Sequence, residues 1–110
     1  MIKRYCLAVL SGVIALIYAG WLSAGALDEA VRRGVLKVGT TPTYVPFEMK
    51  DKQGRIVGFE IDLLQAMSRA LGVELELVAV PYTELLPGLM AKKFDLIGSG
   101  MTVTQERNLK

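Results

Sequence analysis

The apolar positions of the chain change period along the sequence, and each change marks a predicted element. Apolar side chains alternate over Val35–Thr40, which predicts a buried strand. Farther on they recur at helical spacing and predict a helix that ends at Gly72; this stripe comprises Ile61, Leu63, Leu64, Met67, Ala70 and Leu71. Residues 73–80 alternate at first and end wholly apolar, which predicts a parallel strand covered on both faces.

Turn-forming residues between these segments complete the predicted order of elements. Residues 51–54 predict a hairpin turn, and residues 41–46 contain two prolines that are expected to prevent regular structure. A helix over 84–91 capped by Thr83, a short strand over 95–97 and a helix capped by Thr104 follow. Strand, hairpin, helix, strand, helix, strand is the order of an α/β fold with a mostly parallel sheet.

The first 26 residues have the layout of a secretory signal peptide. Lys3 and Arg4 precede an apolar run over 7–22, and Ala24-Gly25-Ala26 fits the A-x-A cleavage pattern. The run is shorter than the ~20 residues of a membrane-spanning helix, so cleavage is favoured over a retained anchor. The expected organisation is therefore a signal peptide over 1–26 and a folded part over 27–110.

Composition and charge exclude several classes of function. The chain has 13 Lys and Arg against 11 Asp and Glu, a net charge of +2, and no basic run, so no nucleic-acid partner is expected. It contains no histidine, and its one cysteine, Cys6, lies in the predicted signal peptide. No disulfide, metal site, cofactor or Cys/His nucleophile is therefore expected in the exported part.

Three loops at the carboxyl ends of the predicted strands contain the aromatic candidates for a site. These loops span 41–46, 81–83 and 98–103. Tyr44 lies between two prolines in the first loop, and Tyr82 follows a proline in the second. Each ring can give a ligand a flat apolar wall, and for each the alternative is packing on its own loop or helix.

The third loop has the polar groups that suit a carboxylate. Its two glycines allow close approach of the backbone, and Ser99, Gly100 and Thr102 supply hydroxyls and an N–H group. Arg107, one turn into the next helix, can clamp a carboxylate through two parallel hydrogen bonds, and the alternative is a solvated surface arginine. The acidic residues near these loops are interpreted as helix-end electrostatics and turn solvation; they are Glu48, Glu60 and Asp62.

From Val35 onward the chain resembles the opening of family 3 extracellular solute-binding proteins. The matching segments are GVLKVGTT, YVPFEMKDKQGRIVGFEIDLLQAM and LGVELELVAVPYTELLPGLMAKKFDLIGSGMTVTQER. The resemblance implies the N-terminal part of lobe 1 of a type II periplasmic-binding-protein-like fold, in which two lobes close on a solute. It also implies a periplasmic, non-enzymatic receptor that delivers a polar amino acid to the inner-membrane permease of an ABC importer.

The same resemblance implies roles for the candidate residues. Tyr44 and Tyr82 match the aromatics that enclose the side chain of the amino acid, and Arg107 matches the carboxylate clamp. The loop that binds the α-amino and α-carboxylate groups is matched by Ser99, Gly100 and Thr102. Thr41 stands where several relatives that bind basic or amide side chains carry an aspartate, which argues against a Lys, Arg or His ligand unless the acid comes from the second lobe.

Two other function classes fit the same resemblance. One is a periplasmic enzyme similar to cyclohexadienyl dehydratases, and the other is the ligand-sensing module of a membrane receptor, which requires a retained anchor. Because one lobe encloses only one side of a ligand, residues 27–110 alone are expected to bind amino acids no tighter than about millimolar.

Overall fold

The computed structural model describes residues 25–108, so nearly all of the predicted signal peptide lies outside the described residues. The helices are α1 (Ala26–Arg33), α2 (Phe59–Leu71), α3 (Tyr82–Met90) and α4 (Gln105–Asn108). The strands are β1 (Val35–Thr40), β2 (Thr43–Tyr44), β3 (Glu48–Lys50), β4 (Ile56–Val57), β5 (Glu74–Ala79) and β6 (Leu96–Ile97). Within residues 25–108, no helix has the length and apolar character needed to cross a membrane.

A parallel sheet with the strand order β5-β1-β6 forms the centre of the fold. The β1 strand pairs with β5 along its whole length, from Val35 opposite Glu74 to Thr40 opposite Ala79, and with β6 at Val38 and Gly39. The predicted α/β fold with a parallel sheet is therefore confirmed. Since the three strands run in one direction, their carboxyl ends share one edge, which is where ligands bind in such sheets.

A second, antiparallel sheet holds the segment around Tyr44. Strand β2 pairs with β3, with Thr43 opposite Met49 and Tyr44 opposite Glu48, and β3 pairs with β4 across the predicted turn. The expectation that residues 41–46 would have no regular structure was wrong at these two positions. Both prolines lie outside the paired residues, so neither removes an N–H that the pairing needs.

Helix α2 packs on the parallel sheet with only part of its predicted apolar stripe. Ile61 and Leu64 are buried in the core, whereas Leu63 and Met67 remain 58% and 36% exposed. Positions three and four residues apart form neighbouring rows on a helix, and only one of the two rows faces the sheet here. The helix ends as predicted at Gly72, which adopts the left-handed conformation that glycine tolerates.

Two predictions about the neighbouring elements were wrong. Strand β5 lies at the edge of the parallel sheet, and its last residue, Ala79, is exposed, so it is not covered on both faces. Helix α3 begins at Tyr82 with Pro81 as its N-cap, so Thr83 lies inside the helix and caps nothing. The Tyr82 side chain is consequently positioned by the first turn of a helix.

Candidate functional site

Hydrogen bonds join the three loops at the carboxyl ends of the parallel strands. Thr41 donates from its N–H to Ser99 Oγ (3.0 Å) and from its hydroxyl to the carbonyl oxygen of Val80 (2.7 Å). Between the loops lies a depression of about 340 Å³, called here the central depression; it is lined by Thr41, Thr43, Tyr44, Glu48, Tyr82, Ser99 and Gly100. The structure therefore brings four of the six candidate residues to one surface.

Tyr44 and Tyr82 both line the central depression, with 53% and 50% of their surface exposed. The Tyr44 ring packs on Phe47, with centroids 5.1 Å apart. It also lies so close to Gly100 that a Cβ at that position would be 2.9 Å from Tyr44 Cδ1. Gly100 has φ of 55°, so a residue without a Cβ is needed here both for its conformation and for the approach of the ring. The half-exposed rings leave apolar surface open to a ligand.

The Ser99 hydroxyl makes two hydrogen bonds within the protein, one as a donor and one as an acceptor. Its hydroxyl donates to Glu48 Oε1 (2.6 Å) and accepts the N–H of Thr41 (3.0 Å). A hydroxyl has one proton and two lone pairs, so Ser99 has only one acceptor position left. That position suits an ammonium donor, and the expectation that the Ser99 hydroxyl donates to a carboxylate does not fit this geometry.

Glu48 is a residue of the central depression that sequence reasoning did not include among the candidates. Its side chain is only 1% exposed, and its second oxygen, Oε2, accepts a hydrogen bond from the Thr40 hydroxyl. The interpretation of Glu48 as an acidic residue solvated at a turn was therefore wrong. Its partners Thr40 and Ser99 are 8 and 51 residues away in sequence, so no local pattern distinguishes Glu48 from a surface acid.

Glu60, near the start of α2, contacts the loop over residues 98–103 through Gly100. Its Oε2 accepts the N–H of Gly100 at 2.9 Å, which joins two residues 40 positions apart. Burial raises the pKa of the Glu60 carboxyl, repulsion from Glu48 raises it further, and the Gly100 hydrogen bond opposes both effects. The Gly100 N–H is thus already bonded to a carboxylate in this structure.

Arg107 lies beside Tyr82 and is fixed at three points. Its Nη1 donates to the carbonyl oxygen of Thr102 (2.6 Å) and its Nη2 to Tyr82 Oη (3.3 Å). Its backbone N–H donates to Thr104 Oγ1 (3.2 Å), which confirms Thr104 as the predicted cap of α4. A guanidinium has five N–H donors, so donors remain for a ligand carboxylate. Neither Arg107 nor Thr102 lines the central depression itself.

Among residues 25–108, no basic side chain forms an ion pair with the two acidic residues of the site. The ion pairs in residues 25–108 join Arg33 to Asp95 and Arg55 to Asp51, and neither Glu48 nor Glu60 takes part in one. Glu48 depends on two hydroxyl groups and Glu60 on one backbone N–H. Because burial of an unpaired carboxylate is unfavourable, this arrangement favours a ligand that carries positive charge.

Comparison with curated proteins identifies relatives that bind amino acids. The chain is 40% identical over 85 residues to the histidine-binding periplasmic protein of Escherichia coli strain K12. The match covers 77% of this chain and 32% of that protein. The chain therefore spans about a third of the length of this curated relative.

Solved structures with the same fold include two amino-acid-binding proteins. The arginine-bound form of domain 1 from TmArgBP, the ArgBP of T. maritima, has a TM-score of 0.72 and 48% identity, covering 74% of this chain and 65% of that one. The ancestral amino acid-binding protein AncCDT-1, described as a precursor of cyclohexadienyl dehydratase, has a TM-score of 0.73 and 47% identity, covering 79% and 39%.

The family model for bacterial extracellular solute-binding proteins, family 3, matches residues 36–110. This range contains the parallel sheet except its first residue, Val35, together with the antiparallel sheet and all six candidate site residues. The family and the periplasmic-binding-protein-like fold expected from the sequence segments are thus confirmed. The chain belongs to the bacterial extracellular solute-binding proteins, family 3.

Proposed function

We propose that the chain forms the first-lobe part of a receptor that binds a cationic amino acid and delivers it to the permease of an ABC importer. The observation that carries this proposal is Glu48, a buried carboxylate at the central depression with no basic partner among residues 25–108. Several relatives support the class of ligand, since they are named for histidine, for arginine and for cationic amino acids, whereas one other is named for L-cystine.

The physical basis is compensation of a buried charge. A carboxylate withdrawn from water loses hydration, and hydroxyl hydrogen bonds replace only part of it. The ammonium or guanidinium group of a ligand in the central depression would complete the pair. In this proposal Glu48 supplies the acid whose absence at Thr41 had argued against a basic ligand.

The other candidate residues take complementary roles in the same proposal. Tyr44 and Tyr82 enclose the aliphatic part of the side chain, and the free acceptor position of Ser99 receives an N–H of the cationic side-chain group beside Glu48. Arg107 binds the α-carboxylate, with Thr102 acting through its carbonyl oxygen on the guanidinium. The Gly100 N–H reaches a ligand carboxylate only if Glu60 releases it.

The test is a titration of the purified chain, followed by NMR, with L-arginine and with L-citrulline. Citrulline has the same shape but carries a neutral urea in place of the guanidinium. We expect L-arginine to bind at least about 10-fold more tightly than L-citrulline. An ion pair at a desolvated site contributes more binding free energy than a tenfold difference requires. Equal affinities would contradict the cationic preference, and turnover of prephenate or arogenate would favour an enzyme.

The strength of this binding is a separate expectation. In TmArgBP, domain 1 alone was solved in an arginine-bound form, so one lobe of that relative holds its ligand. The present chain covers 65% of that domain. Affinity no tighter than about millimolar therefore stays the prediction for this chain, and the titration needs ligand concentrations well above that value.

We also propose export to the periplasm with removal of residues 1–26. The positive, apolar and small segments of the sequence support this, as does the periplasmic location in the name of the histidine-binding relative. Mass spectrometry of the periplasmic fraction is expected to find Leu27 at the N-terminus. Intact Met1 in the membrane fraction would instead support an anchored receptor.

A further inference from the structure

We propose that the Tyr82 hydroxyl orients the Arg107 guanidinium for the ligand carboxylate, separately from the apolar wall that the Tyr82 ring provides. This inference rests on the proposed function, because it needs a ligand with a carboxylate. It concerns the oxygen atom of Tyr82 alone. Phenylalanine at this position would keep the apolar ring but would lose the hydrogen bond to Arg107.

The geometry restrains the plane of the guanidinium. Nη1 donates to the carbonyl oxygen of Thr102 at 2.6 Å, and Nη2 donates to Tyr82 Oη at 3.3 Å. A planar group held through one nitrogen can still turn about its Nε–Cζ bond. A second hydrogen bond through the other nitrogen opposes that rotation and leaves the remaining N–H donors in fixed directions.

The two residues differ in how firmly the fold holds them. Arg107 belongs to α4, a helix of four residues with no buried side chain. Tyr82 begins α3, which is anchored in the protein interior by Leu85, a side chain with 0% exposure. The hydrogen bond from Arg107 to Tyr82 therefore restrains an arginine on a poorly packed helix by linking it to a well-packed one.

Preorganisation is the expected benefit for binding. A free arginine side chain has many rotamers, and a ligand that must select one of them binds less tightly. At 3.3 Å the hydrogen bond is long, and both groups are exposed to solvent. Its loss is therefore expected to change rates and affinities by about 3- to 10-fold, which is the range for ordinary hydrogen bonds and below that for bonds to charged groups.

The experiment compares Tyr82→Phe with Tyr44→Phe. Both substitutions remove one hydroxyl from a tyrosine at the central depression, but the Tyr44 hydroxyl has no hydrogen bond within residues 25–108. Nitrogen NMR of the ligand-free chain measures rotation about the Nε–Cζ bond of Arg107, and the signal that disappears in Arg107→Lys assigns it. Titration with L-arginine then gives the affinity of each variant.

We expect Tyr82→Phe to rotate about 3- to 10-fold faster at Arg107 and to bind L-arginine more weakly by a similar factor. Tyr44→Phe is expected to leave the rotation unchanged. Unchanged rotation in Tyr82→Phe would overturn the proposal even if binding weakened, because the hydroxyl would then contact the ligand directly. Faster rotation with unchanged affinity would overturn it too.

Different results would contradict the proposed function and the role of the Tyr82 hydroxyl. If the unaltered chain binds L-arginine and L-citrulline equally, the proposed cationic preference fails, and the rotation measurement on the ligand-free chain still tests the contact. If L-arginine binds normally and the Tyr82→Phe variant matches the unaltered chain in both measurements, only the role of the hydroxyl is lost.

Discussion

Replacement of Arg107 by methionine is expected to abolish measurable binding of amino acids. Methionine keeps an unbranched apolar stem but removes every N–H donor that could meet the ligand carboxylate. Loss of one partner of a desolvated charge pair costs ~2–5 kcal/mol, which is roughly a 30- to several-thousand-fold loss of affinity. From a starting affinity near millimolar, a loss of that size leaves nothing to titrate.

The same NMR titration with L-arginine measures this effect, and Arg32→Met is its matched control. Arg32 lies on the exposed side of α1, so its replacement removes one positive charge without touching the site. Folding is expected to survive in both variants, because α4 buries no side chain and Arg32 is exposed. An Arg107→Met variant with unchanged affinity would remove Arg107 from the carboxylate clamp.

Replacement of Glu48 by glutamine is expected to remove the preference for a cationic side chain. Glutamine has the size of glutamate, and its carbonyl oxygen can still accept a hydrogen bond from Thr40 or Ser99. The negative charge beneath the central depression is lost, so L-arginine should bind at least about 10-fold more weakly. L-citrulline, which has no charge on its side chain, should bind with nearly unchanged affinity.

The ratio of the two affinities is the decisive measurement for Glu48. A general loss of packing would weaken both ligands equally, whereas a loss of charge weakens only arginine. Glu76→Gln, on the exposed side of β5, removes the same charge at a solvated position and serves as the control. A ratio that Glu48→Gln leaves unchanged would contradict the proposed role of this carboxylate.

Local sequence determined the elements and their order. The alternation over Val35–Thr40 places Leu36 and Val38 in the core, and Gly72 ends α2 because its conformation suits glycine. These signals act within a few residues, so periodicity and turn chemistry are sufficient to detect them. Local spacing did not predict which apolar side chains of α2 would be buried. The spacing of Leu63 and Met67 matched a helix, but could not show which side of that helix would meet the sheet.

The candidate residues came from position and family resemblance, and the structure collected four of them at one depression. It also changed what they can do. The Ser99 hydroxyl donates its hydrogen bond to Glu48, and the N–H of Gly100 donates to Glu60. Neither restriction is visible in the loop sequence, since the partner in each case comes from another element.

The sequence alone thus determined an α/β chain of this family, and it placed the candidate binding residues at the carboxyl ends of parallel strands. Only the tertiary structure showed that Glu48 is a buried acid of the site, that Glu60 holds the loop, and that Tyr82 contacts Arg107. These contacts join residues 51, 40 and 25 positions apart. Periodic patterns report which face of an element is buried, whereas the pairing of distant polar groups depends on how the sheet brings separate strand ends to one edge.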